Sequence, residues 1–113
     1  MAEKSPVKLG GPAEEFRQKC LPLIESEYSP DLVILFGSAA RKETEANDID
    51  IIIVSKAFEG TKFIRRMGDV VRKFDFSRHI DALCYTPSEF EQVKENSTVV
   101  EQALKEGIVL SRN

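Results

Sequence analysis

The chain's patterning predicts an α+β (mixed α/β) domain, a small mixed β-sheet backed by helices. Short apolar runs rich in β-branched residues, at 32–36, 51–54 and 108–110, have the length and bounding turn residues of strands. A fourth stretch, 79–85, alternates in character at its start and reads the same way. Between them lie segments with apolar residues at helical spacing. At 113 residues the chain can build one core but not two. The expected organisation is a flexible tail over 1–11 and a single domain over 12–113.

Taken in order, Pro12 with Glu14 and Glu15 makes a helix start, with proline in the first turn and acids near the positive end. Phe16, Cys20 and Ile24 continue it at helical spacing, and Pro22 imposes a kink or break near 18–21. The turn at 28–31 leads into the first strand, which stops at Gly37-Ser38. A polar connector follows over 39–47, and then Asp48-Ile49-Asp50 opens the second strand. So short a connector favours an antiparallel pair.

A long amphipathic helix comes next. Phe63, Ile64, Met67, Val70, Val71 and Phe74 form one apolar stripe, expected to lie on the sheet. Lys62, Arg65, Arg66, Arg72 and Lys73 form the other side, expected to face outward as a solvated surface or as a contact surface for an acidic partner or a nucleic-acid phosphate. After the strand at 79–85, Thr86-Pro87-Ser88-Glu89 is a capping box that starts a short helix. Asn96 or Ser97 caps a further helix ended by Gly107, and Ile108-Val109-Leu110 is a last strand, expected at an edge.

The formal charge of −3 argues against a bulk nucleic-acid surface, and no apolar run reaches the length of a membrane span. With no hydrophobic signal core at the N-terminus, the location expected is cytoplasmic. Cys20 and Cys84 form no CxxC pair and read as small buried hydrophobes.

Chemistry concentrates at the strand ends. Residues two apart in a strand share a face, so Asp48 and Asp50 project side by side and repel unless a cation neutralises them. Asp81 sits equally early in its own strand, and adjacent strands would bring all three carboxylates together. Gly37 lets the backbone approach a ligand, and Ser38 offers a hydroxyl and free N–H groups at a helix start suited to phosphate. Arg41 is a further phosphate candidate, whereas Lys42 reads as solvent-facing. The single histidine, His79, reads as a packed or surface residue, and Tyr28 and Tyr85 as packing residues.

Gly37-Ser38, a short spacer and Asp48-Ile49-Asp50, with Asp81 in the later Ile80-Asp81-Ala82-Leu83 segment, resemble the signature of the polymerase-β-like nucleotidyltransferases. The short chain resembles the minimal nucleotidyltransferase branch, often encoded beside HEPN-domain proteins as toxin–antitoxin pairs. The likeness runs from about Asp31 through the C-terminal strand. It departs in two places: the spacer 39–47 is one residue shorter than usual, and the family's Ala-Arg-Gly reads Ala40-Arg41-Lys42.

The resemblance implies the polymerase-β-like nucleotidyltransferase fold. It also implies transfer of a nucleoside monophosphate, AMP from ATP, to a hydroxyl with release of pyrophosphate. Asp48, Asp50 and Asp81 would be the catalytic and metal-binding residues for two Mg²⁺ ions, with Gly37, Ser38 and Arg41 on the phosphates. The partner implied is a HEPN-domain toxin in a hetero-oligomer, modified on a tyrosine. Two alternatives stand beside this. One is a non-catalytic antitoxin that acts by contact, and the other is a transferase acting on a small molecule.

Overall fold

The computed structural model describes residues 3–4, 8–41 and 48–113. Lys42 and most of the shortened spacer lie outside the described residues. The described elements run β1 (Glu3–Lys4), α1 (Gly11–Lys19), α2 (Leu21–Tyr28), β2 (Leu32–Phe36), β3 (Asp48–Val54), α3 (Phe63–Val71), β4 (His79–Tyr85), α4 (Pro87–Asn96), α5 (Thr98–Glu106) and β5 (Ile108–Arg112). The sheet order is β1-β5-β2-β3-β4, antiparallel except for the parallel β3–β4 pair. The mixed sheet and its helices are those expected from the sequence.

The sheet has helices on both faces. On one, Val33 and Leu35 of β2, Ile49, Ile51 and Ile53 of β3, and Ile80, Ala82 and Cys84 of β4 pack with Phe16, Ile24 and Val70 from α1, α2 and α3. On the other, Ile34, Ile52, Val54 and Tyr85 pack with Val100 and Ala103 of α5, and Phe90 and Val93 of α4 close around them. The alternation of a strand thus divides one short sequence between two cores. Both cysteines are free and buried.

The local signals account for the element ends. α1 stops at Cys20 and α2 begins one residue later with Pro22 in its first turn, so the expected break falls where the proline removes an N–H. Thr86 and Glu89 form the reciprocal capping box, and Ser97 caps α5 through the Val100 N–H. Gly107 ends α5 against β2. A Cβ there would meet Ile34 Cγ2 at 2.7 Å and the Leu35 carbonyl at 2.9 Å, so only glycine lets this helix end lie so close to the sheet.

Two expectations are corrected. β5 is not an edge strand, because it lies between β1, whose Glu3 and Lys4 pair with Arg112 and Ser111, and β2. The second correction concerns α3, whose stripe does not lie wholly on the sheet. Val70 is buried, but Phe63, Ile64 and Met67 are 47%, 86% and 40% exposed, while Arg66, assigned to the outer face, is only 5% exposed.

The reason is local. α3 packs on β4, the outermost strand, which offers too narrow a surface to cover the whole stripe. Arg66 is drawn in by its partners. It donates to the Thr61 carbonyl at 2.8 Å, to the Cys84 carbonyl at 3.1 Å and to both Glu89 oxygens at 2.5 and 3.2 Å. Its guanidinium also lies 5.9 Å from the Phe58 ring centre and 5.7 Å from that of Phe63.

Candidate active site

β3 is paired on both sides, and this sets the geometry. Asp50 lies opposite Phe36 of β2 in one direction and opposite Asp81 of β4 in the other, while Asp48 lies opposite His79. Asp48 and Asp50 share the face of Ile52 and Val54, and Asp81 the face of Leu83 and Tyr85. All three carboxylates therefore project from one end of the sheet, on the face that carries α4 and α5. The conditional expectation that the acidic strands are neighbours is met.

Gly37 follows directly. Its φ of 75° is a left-handed conformation that side chains disfavour. A Cβ at this position would also collide with Asp50 Oδ2 and stand 3.3 Å from Asp50 Cγ. The glycine is thus required twice, once by the turn and once by the carboxylate lying against it. The Ala40 and Arg41 N–H groups donate to the Gly37 carbonyl at 3.1 and 3.2 Å, closing a turn. Residues 37–41 form this turn rather than the expected helix start, with Ser38 half-buried and Arg41 exposed.

Electrostatically the site is strained by like charge. Burial pushes the Asp50 carboxyl above the usual carboxylate range, and Asp81 and Asp48 push it further, with His79 pulling the other way. His79, two residues before Asp81 and on the same strand face, places its Nε2 2.9 Å from Asp81 Oδ1. Among the described residues, no three His, Cys, Asp or Glu side chains converge closely enough to enclose an ion, and one Asp81 oxygen is taken up by His79. The donor set still fits a hard divalent cation, since it consists of carboxylates brought to the end of two neighbouring strands.

Beside the carboxylates, between the end of β2 and α5, runs a groove of about 380 Å³ lined by Phe36, Gly37, Arg41, Thr98, Val99, Gln102, Ala103 and Glu106. Its α5 wall escaped sequence reasoning, because polar residues on an amphipathic helix read as a solvated face. Tyr28 accepts a hydrogen bond from Lys73 Nζ at 2.8 Å, and Tyr85 is buried beside Phe63 and Phe90. Both tyrosines have the packing roles expected.

Comparison with known proteins places this geometry. No curated protein gives a significant match to the chain. A crystal structure of a Sulfolobus solfataricus protein, assigned provisionally as a nucleotidyltransferase, is similar over 93% of this chain and 90% of its own, at 24% identity and a TM-score of 0.50. That likeness establishes the fold. The family model for the nucleotidyltransferase domain matches residues 17–110, which includes Gly37, Asp48, Asp50 and Asp81. The chain belongs to the nucleotidyltransferase domain family.

Proposed function

We propose that this protein transfers AMP from ATP to a hydroxyl acceptor with release of pyrophosphate. The observation that carries the reading is the convergence of Asp48, Asp50 and Asp81 on one end of the sheet, with the Gly37 turn against Asp50. Asp48, Asp50 and Asp81 would hold Mg²⁺, and when bound the metal neutralises phosphate charge and supports in-line displacement at the α-phosphorus. Gly37 and Ser38 bring backbone N–H groups and a hydroxyl to the triphosphate, and Arg41 adds a charged donor. The acceptor oxygen forms the new bond to the α-phosphorus as the bond to pyrophosphate breaks. Asp81, on the outermost strand β4, takes the hydroxyl proton.

The acceptor we propose is a tyrosine of a HEPN-domain partner, with this chain as the cytoplasmic antitoxin of a toxin–antitoxin pair. The family resemblance motivates that assignment. The exposed Phe63, Ile64 and Met67 on α3 support a protein-binding role, since contiguous exposed apolar side chains often mark an interaction surface. The same surface favours the alternative of neutralisation by contact alone.

Intact-mass spectrometry after incubation with ATP and Mg²⁺, with and without the co-purifying partner, separates the two. Transfer predicts an AMP-sized gain on one chain, lost in Asp48→Asn/Asp50→Asn. A partner that stays bound, unmodified and neutralised would establish contact alone.

A further inference from the structure

We infer that the groove between the end of β2 and α5 holds the nucleoside of the donor triphosphate and that Gln102 and Glu106 read an adenine base. This rests on the nucleotidyl-transfer reading and adds a base-recognition wall to it. Gly37 is the link. It lines the groove and also lies against the Asp50 carboxylate, so a triphosphate held at the carboxylates has the groove as the adjoining space for its ribose and base. The volume, about 380 Å³, falls in the lower part of the range of small-molecule sites, about 300–1,000 Å³.

The lining has the chemistry that a base requires. Val99, Gln102, Ala103 and Glu106 recur at i, i+3, i+4 and i+7, which places them on one face of α5. Ala103 is buried and small, leaving room between the helix and the sheet, and Phe36 at the end of β2 supplies an aromatic wall for stacking. The Gln102 amide offers a donor and an acceptor side by side, the pattern that pairs with adenine N6 and N7. A carboxylate oxygen at Glu106 accepts hydrogen bonds, so it favours a base with an exocyclic amine over one with a carbonyl in that place. Gly107 holds this wall in position through its close approach to β2.

The test is equilibrium binding of ATP and ITP in Mg²⁺ to wild type, Val99→Trp, Gln102→Leu and Glu106→Gln. ITP differs in carrying a carbonyl where adenine has its amine. All three positions are exposed on α5, and thermal melts verify that the variants fold. Val99→Trp fills the groove and should weaken ATP binding tenfold or more. Gln102→Leu should weaken ATP more than ITP. Glu106→Gln, which gains a donor, should shift the ATP-to-ITP preference toward ITP by at least fivefold. Wild-type binding of ATP that all three folded variants leave unchanged overturns the groove assignment alone. No nucleotide binding by the wild type overturns it together with the transfer reading.

Discussion

At Gly37 two constraints meet on one residue, the left-handed backbone and the Asp50 carboxylate occupying the place of a Cβ. Gly37→Ala should therefore move Asp50 as well as strain the turn. We predict a stability loss of about 1–3 kcal/mol by denaturant unfolding, together with loss of transfer. Retained transfer would show that the position of Asp50 is not critical. The acidic residues themselves were legible in the sequence, because strand alternation fixes that Asp48 and Asp50 share a face whatever the fold around them. Gln102 and Glu106 were not. Their place in the groove depends on which side of α5 faces the end of β2, a fact of packing that no spacing within the helix records.

Among the elements, α3 shows the limit of periodicity. The stripe of apolar residues is real, but a stripe says only which side chains lie together, not how much of them a neighbour covers. With β4 as the outer strand, half of it stays exposed and Arg66 turns inward to two carbonyls and Glu89. Replacing Arg66 with methionine leaves those carbonyls without their donor, and should cost about 1–3 kcal/mol in chemical denaturation.

The pH dependence follows from Glu89, whose carboxyl is held below its usual range chiefly by its hydrogen bond from Arg66. A depressed carboxyl stabilises the fold above its unfolded value and loses that contribution as pH falls through the folded one. The gap between wild type and Arg66→Met should therefore narrow in acid. A gap that widens there would contradict the assignment. By contrast, the capping box at Thr86 and the proline break before α2 were readable, because both depend on residues within a few positions of each other.

For α5 the controlling residue is Gly107, where an added Cβ meets Ile34, Leu35 and the Ala103 carbonyl. Gly107→Ala should lower stability by about 1–3 kcal/mol, since backbone rather than a flexible side-chain tip must shift. It should also weaken nucleotide binding by displacing the groove wall. Unchanged stability would show that α5 moves freely on the sheet.

Across the whole molecule, the antiparallel β2–β3 pair followed from its short connector, while the position of β5 between β1 and β2 did not. Strand order is set by contacts distant in sequence, and a short apolar strand carries no mark of whether one or two neighbours pair with it. The arrangement brings Asp81 beside Asp50 and places three like charges at one end of the sheet. On the proposed reading, such a site lowers the stability of the fold until a cation and phosphate occupy it.

The most direct test of this is a thermal melt of wild type and Asp48→Asn/Asp50→Asn, each alone and with Mg²⁺ and ATP. Without ligand the variant, relieved of the repulsion, should melt higher. With saturating ligand, at about 100 times Kd, the wild type should gain about 2.7 kcal/mol, or several degrees, and the variant little. A wild type that Mg²⁺ and ATP leave unmoved, or a variant that responds equally, would contradict a metal and nucleotide site at these carboxylates.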